Sequence, residues 1–148
     1  MLLTGTFERA IDEKQRVAIP KRLREAVGKL GEIGLFVAPG MDGSLFLYSE
    51  NAFLKLAERL ASASPTGQDV RAFSRLFYAQ AERVELDSQG RVRIPPRLAQ
   101  MAGLEKDAIL IGVQDHMELW DRARWEAYLA EKSARYDAIA EAAFEKGS

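Results

Sequence analysis

A stretch of ten residues occurs twice in this 148-residue chain. Residues 11–20, IDEKQRVAIP, recur as residues 86–95, LDSQGRVRIP, at a spacing of 75 (87 minus 12). Further along, LFLY at 45–48 matches MELW at 117–120, at a spacing of 72 (117 minus 45). Self-similarity at a nearly fixed spacing predicts an internal duplication, in which each copy is one structural unit.

Each copy has the pattern of a β-α-β-β-α module. An alternating strand is followed by a short helix that begins near a proline, then by two strands and a closing helix. The predicted elements are strands 16–19 and 91–94, helices 20–27 and 96–102, strands 35–38, 44–48, 108–113 and 117–120, and a connecting helix 67–80. Gly28 and Gly103 suit the ends of the short helices, and the residues Ser49, Thr66 and Asp121 are expected N-caps. We therefore expect an α+β fold with a first repeat at 1–62, a linker and helix at 63–80, and a second repeat with a long C-terminal helix at 81–148.

The repeated motif pairs an aspartate with an arginine four residues later, as Asp12/Arg16 and Asp87/Arg91. Gly90 suits a turn position with positive φ, whereas Gln15 takes that position in the first copy with less conformational freedom. An aspartate that accepts hydrogen bonds in the turn would fix the arginine in one direction. Such a guanidinium can bind a phosphate or the edge of guanine with two hydrogen bonds. The alternative is a surface salt bridge, worth about 0–1 kcal/mol.

Positive charge is concentrated near the start of the chain, although the net charge of the whole chain is −1. Seven basic residues against four acidic ones give residues 1–30 a local charge of +3. The basic residues are Arg9, Lys14, Arg16, Lys21, Arg22, Arg24 and Lys29. Because phosphate binding depends on a patch and not on the total, this segment remains a candidate nucleic-acid surface.

The composition argues against most enzyme classes. The absence of cysteine excludes disulfides and thiolate metal sites. His116, the single histidine, is expected to be an exposed polar residue in a hairpin turn. Trp120, Trp125, Tyr128 and Phe144 are expected in the core or a subunit interface. Without a phosphate loop, a nucleophile elbow, a signal peptide or a membrane span, we expect a cytoplasmic protein with no cofactor and no active site.

These motifs resemble those of the MraZ family of transcription regulators of the bacterial division and cell-wall gene cluster. The resemblance rests on Gly5-Thr6-Phe7, the twin Asp-x-x-x-Arg motifs and the duplicated layout. It implies a double swapped-hairpin β-barrel made of two AbrB-type modules, assembly into a ring, and binding to tandem promoter repeats in double-stranded DNA. It also implies that Arg16 and Arg91 contact DNA. Arg9 and Arg24 occupy positions at which basic residues of AbrB-like modules make further DNA contacts.

The second copy departs from that pattern, with Val84 and Ala99 in place of the latter two arginines and with Glu82 and Glu85 nearby. We therefore expect the first copy to make the stronger phosphate contacts. The predicted DNA-binding residues are Arg16, Arg91, Arg9, Lys14, Lys21, Arg22 and Arg24, with Asp12, Asp87 and Gly90 structuring the motif. The alternatives are an oligomeric β-barrel scaffold that binds a protein through its C-terminal helices, and a small hydrolase or ligand-binding barrel.

Overall fold

The structure, a computed structural model, describes residues 2–28, 34–63 and 66–147. Lys29 and residues 64–65 of the expected linker lie outside the described residues. The strands are β1 (Thr6–Ala10), β2 (Arg16–Ala18), β3 (Gly34–Pro39), β4 (Leu45–Ser49), β5 (Glu82–Glu85), β6 (Arg91–Arg93), β7 (Asp107–Val113) and β8 (His116–Asp121). The helices are α1 (Lys21–Gly28), α2 (Glu50–Ala61), α3 (Gln68–Gln80), α4 (Pro96–Met101), α5 (Arg122–Ser133) and α6 (Tyr136–Gly147).

The larger sheet shows the duplication directly, and the predicted α+β class is confirmed. Its six antiparallel strands have the order β1-β7-β8-β4-β3-β5, which reads the same in reverse when the two copies are exchanged. The first strand of each copy pairs with the third strand of the other copy, so that Phe7 lies opposite Leu110 and Val84 opposite Leu35. β1 and β5 are the two ends of this order, and the strands in the described ranges form no closed barrel.

A separate two-stranded ribbon joins β2 of the first copy to β6 of the second. Val17 lies opposite Val92 at its centre, and both side chains are buried. Because side chains alternate between the faces of a strand, Arg16 and Arg91 lie on the opposite, outer face. The predicted half-buried strands are therefore confirmed.

Both copies contribute to one hydrophobic core beneath the ribbon and the sheet. The core includes Val17, Leu35 and Leu47 from the first copy and Val92, Leu110 and Leu119 from the second. All six are at most 1% exposed. Neither copy encloses this core alone, because its strands need partners from the other copy.

Aromatic side chains fasten the helices to the sheet. Phe53 of α2 stacks on Phe36 at 4.2 Å between ring centroids. On the second copy, Trp120 contacts Trp125 and Tyr128 of α5 at 5.2 and 5.0 Å. These contacts confirm the expected packing, whereas Phe144 of α6 is 81% exposed and lies outside the core of a single chain.

Two helix caps follow the prediction and one does not. The Ser49 hydroxyl accepts the N–H of Ala52 at 3.1 Å, and the Asp121 carboxylate accepts the N–H of Arg124 at 3.3 Å. Gly67, and not Thr66, occupies the N-cap position of α3, without a side-chain hydrogen bond. Gly103 follows α4 with a φ of +63°, as expected for a residue that ends a helix.

The prediction of one long C-terminal helix is wrong. Helix α5 ends at Ser133, and a second helix, α6, begins at Tyr136. The backbone N–H of Arg135 donates to Lys132, which closes a tight turn between the two helices. Neither Gly nor Pro marks the interruption in the sequence. The strands β1 and β5 were also missed, because both pair with a remote part of the chain.

The expectation that His116 is exposed is wrong as well. Its side chain is 15% exposed and lies against the rings of Phe46 and Tyr48, at 4.7 and 5.2 Å between centroids. Nδ1 is 2.8 Å from the Asp115 carboxylate and Nε2 is 3.2 Å from that of Glu118. Only the protonated imidazolium can donate to both carboxylates. Burial lowers the pKa of His116, but the hydrogen bonds to Glu118 and Asp115 outweigh it and leave the pKa raised.

His116→Gln is expected to lower the stability more in acid than in alkali. A raised folded-state pKa stabilises the fold fully below the ordinary histidine value of about 6.5, and this contribution is lost as pH rises through the folded value. Urea unfolding of wild type and variant at about pH 5.5 and about pH 8.5 should show the larger difference at the lower pH. Lys21→Gln, at an exposed position, is the control. A difference that stays constant or grows toward alkaline pH would contradict this assignment.

Candidate nucleic-acid interface

A single carboxylate organises the turn of the first copy. Oδ1 of Asp12 accepts the backbone N–H of Lys14 at 2.9 Å and that of Arg16 at 2.8 Å. Oδ2 accepts Nε of Arg16 at 2.7 Å. Gln15 has a φ of +63° at the tightest point of this turn, as its place in the motif suggested. The same aspartate therefore fixes the backbone of the turn and the direction of the arginine.

The turn of the second copy repeats this arrangement. Asp87 accepts the backbone N–H groups of Gln89 and Arg91, both at 2.9 Å, and Nε of Arg91 at 2.9 Å. Gly90 has a φ of +78°, which confirms the predicted positive value. We refer to Asp12 with Arg16 and to Asp87 with Arg91 as the two turn locks.

Both aspartates are held in the ionised form. The backbone hydrogen bond from Arg16 lowers the pKa of Asp12 below its ordinary value, against an opposing effect of burial. The backbone hydrogen bond from Arg91 does the same for the pKa of Asp87. Each turn lock is therefore intact throughout the neutral range.

The ribbon couples the two turn locks to each other. The N–H of Ile19 donates to the carbonyl of Gly90 at 3.0 Å, and the N–H of Ile94 donates to that of Gln15 at 2.8 Å. Nη1 of Arg91 also lies 4.0 Å from Oδ2 of Asp12, across the boundary between the copies. One carboxylate thus faces both motif arginines.

Both motif arginines remain accessible. The side chains of Arg16 and Arg91 are 30% and 27% exposed. Arg16 binds its aspartate through Nε. Within the described ranges, its two Nη groups donate no hydrogen bond. The terminal nitrogens can therefore bind an external acceptor while Nε keeps the side chain in place.

Three of the other predicted DNA-binding residues donate to backbone carbonyls. Arg9 Nε donates to Ala18, Arg22 Nη2 to Thr4, and Arg24 Nε to Ile19, at 2.8, 2.7 and 2.9 Å. These bonds brace the ribbon and the N-terminal segment. Lys14 and Lys21 are exposed, and Nζ of Lys21 lies 3.9 Å from Glu25. The two lysines are thus held by fewer contacts than the three arginines.

Arg24 also makes the two turns unequal. Its side chain crosses to the second copy and covers Gly90, where an added Cβ would lie 2.6 Å from Arg24 Nε. The equivalent position of the second copy is Ala99, which is buried. The turn at Gly90 therefore lies beneath an arginine of the other copy, and the short side chain of Ala99 cannot cover Gln15 in the same way.

Two exposed arginines of the second copy were missed in the sequence analysis. Arg93 lies on β6 directly opposite Arg16, and Arg97 lies on α4. The alternation Arg91-Val92-Arg93 already indicated that Arg91 and Arg93 share a face.

The open cleft beside the first turn is lined by charged and apolar side chains together with Gln15. Its volume is about 700 Å³, and its lining contains no serine, threonine, cysteine, histidine or tyrosine. In the described part of the chain, no three histidine or carboxylate side chains are grouped as metal ligands would be. None of the helices there combines the length and the apolar character needed to cross a membrane.

The fold and its two turn locks define a duplicated α+β protein with arginines paired on one ribbon. The family model described as "MraZ protein, putative antitoxin-like" matches residues 2–76 and again residues 77–147. Proteins named transcriptional regulator MraZ from Acetivibrio thermocellus and Alkaliphilus oremlandii are 41% and 40% identical to the chain. These alignments cover 93% and 99% of the chain and the same shares of the relatives. The chain therefore belongs to the MraZ family, which confirms the resemblance.

Gly90→Ala is expected to destabilise the protein, whereas Gln15→Gly is not. A non-glycine residue in the left-handed region costs about 1–2 kcal/mol, and the new Cβ would also displace Arg24. Gln15→Gly removes the same backbone cost from the first copy, at the expense of some unfolded-state entropy. Urea unfolding of the two variants measures the contrast. Equal stabilities of Gly90→Ala and wild type would show that neither the positive φ nor the contact with Arg24 constrains this turn.

Proposed function

We propose that this protein is a sequence-specific DNA-binding transcription regulator. The observation that carries the proposal is the pair of turn locks, which hold Arg16 and Arg91 on one ribbon with side chains that are 30% and 27% exposed. A guanidinium fixed through Nε is pre-organised to bind phosphate or guanine through the rest of its fork. The name transcriptional regulator, carried by the relatives, agrees with this assignment.

In this proposal some side chains provide affinity for DNA, and others set the register of the protein on the duplex. Lys14 and Lys21 are exposed and contact phosphates, while the arginines of the turn locks set the register on the duplex. Arg9, Arg22 and Arg24 hold the ribbon in place and add positive potential, since their guanidinium groups already donate to carbonyls. The motif aspartates and Gly90 shape the turns.

The finer predictions of the sequence analysis belong to the same proposal. The exchange of first strands between the copies supports a swapped-hairpin origin of the fold, with repeats 1–62 and 81–148 around the connecting segment 63–80. We further propose a ring of subunits that binds tandem promoter repeats of the division and cell-wall gene cluster. Such a protein would act in the cytoplasm, on the nucleoid.

A second candidate, an oligomeric scaffold that binds a protein partner, is favoured by the exposed apolar side chains of the helices. Leu76 of α3 is 65% exposed, and Tyr136 and Phe144 of α6 are 71% and 81% exposed. Exposed apolar surface of this kind is typical of interfaces. Subunit contacts would also cover it, so only a DNA-binding measurement separates the two candidates.

Arg16→Ala and Arg91→Ala are each expected to abolish specific retardation of the DNA directly upstream of the protein's own gene. A bidentate contact is worth about 1–3 kcal/mol per site, and several subunits multiply the loss. Arg75→Ala, which removes an exposed arginine from α3, is the matched control. Size-exclusion chromatography checks that each variant keeps the size of the wild type. Unchanged retardation with both motif variants would refute the proposed function.

A further inference from the structure

We propose that Arg16 and Arg93 form a phosphate-binding pair on the ribbon, with one arginine from each copy of the repeat. The inference rests on the proposed function and goes beyond it, because it assigns Arg93, which has no counterpart in the first copy. The ligand class is the phosphodiester of a nucleic-acid backbone. The two halves of the duplicated protein would therefore make different contacts with DNA.

The ribbon places these two arginines side by side. Arg16 and Arg93 are directly opposite each other in the register, next to the pair Val17 and Val92. The valines point into the core, so their neighbours along each strand point away from it. Directly opposite side chains have Cβ atoms about 4.5–5.5 Å apart, close enough for two guanidinium groups to reach one phosphate.

The electrostatics of the free protein leave Arg93 uncompensated, whereas Arg16 is paired with Asp12. Like charges directly opposite on a sheet repel each other, so the arrangement costs stability. Arg93 is exposed, and no hydrogen bond or ion pair of its side chain occurs within residues 2–28, 34–63 and 66–147. Asp12, the carboxylate that holds the opposite arginine, already receives two backbone N–H groups and Nε of Arg16. A bound anion would supply the missing negative charge.

The opposite row of the ribbon shows the asymmetry. There Arg91 lies opposite Ala18, so the pseudo-twofold counterpart of Arg93 is an alanine. The two ribbon strands thus place three arginines on the outer face, of which Arg16 and Arg91 are bound by the motif aspartates. The arginine without a motif aspartate is Arg93, opposite Arg16. The second copy therefore adds phosphate-binding charge of its own, although the sequence led us to expect the stronger phosphate contacts from the first copy.

A phosphate is favoured over a base edge because the two arginines occupy directly opposite positions on the same face of the ribbon. Arginine binds phosphate through parallel N–H groups, and two guanidinium groups can share the oxygens of one phosphodiester. The side chain of Arg93 is not locked by an aspartate, unlike those of Arg16 and Arg91. A mobile charge suits a sequence-independent contact, whereas base reading needs a fixed direction.

The test compares Arg93→Ala with wild type on the upstream DNA and on an unrelated duplex of equal length, across a range of salt concentrations. Loss of a phosphate contact should weaken binding to both duplexes by the same factor, and should reduce the salt slope by about one for each subunit bound. Arg93→Lys should retain part of the affinity, and Arg75→Ala should retain all of it. Thermal unfolding of free Arg93→Ala should be unchanged or shifted upward, because the repulsion from Arg16 is removed.

Three results would overturn the inference: unchanged affinity and salt slope, a loss confined to the upstream DNA, or a marked loss of stability in the free variant. The last would make Arg93 structural. Failure of this inference can be distinguished from failure of the proposed function. If Arg16→Ala and Arg91→Ala abolish binding while Arg93→Ala does not weaken it, only the phosphate pair fails. If both motif variants bind DNA normally, the proposed DNA-binding function is refuted, whatever the result for Arg93→Ala.

Discussion

The hydrogen bonds of two aspartates determine the arrangement of this molecule's surface. Each carboxylate accepts two backbone N–H groups of its turn and the Nε of the arginine that follows. The backbone bonds fix where each ribbon strand begins. That starting point decides which residues of the strand enter the core, since a slip of one residue would exchange the two faces. Val17 and Val92 are thereby buried, and the arginines beside them are turned outward.

The duplication makes the ribbon possible. Each copy supplies one ribbon strand, and each lends its first strand to the other half of the sheet. The core is therefore common to both copies, and the separation of the two turn locks is set by the ribbon and not by a flexible linker. The copies have also diverged. Arg24, which covers the turn of Gly90, corresponds to Ala99 of the second copy, and Arg93, which lies opposite Arg16, corresponds to Ala18 of the first. The result is a nearly twofold scaffold with an asymmetric charged face.

Most local features of this structure could be predicted from the sequence, although the N-cap at Thr66 and the unbroken C-terminal helix were predicted wrongly. The motif spacing indicated the turns, Gly90 indicated a positive φ, and the alternation of Val17 and Ile19 indicated a half-buried strand. Each of these depends on residues within a few positions of one another. The predicted caps at Ser49 and Asp121 succeeded for the same reason.

The non-local features could not be predicted in this way. The strands β1 and β5 become strands by pairing with the other copy, and their own patterns are weak. His116 is half-buried because the rings of Phe46 and Tyr48, distant in sequence, lie against it. The carbonyl partners of Arg22 and Arg24 depend on the folded path of the backbone, so the sequence showed only their charge. The resemblance to the family supplied expectations about assembly and DNA, which remain proposals.

The role of the turn locks can be measured through the affinity of Asp12→Asn for the upstream DNA. This substitution removes a negative charge from the proposed interface, so electrostatics alone would strengthen binding to a polyanion. If the lock is what orients Arg16, the variant binds more weakly than wild type despite its extra positive charge. Affinity equal to or greater than that of wild type, in a variant that is folded and of unchanged size, would show that the arginines need no orientation by the aspartates.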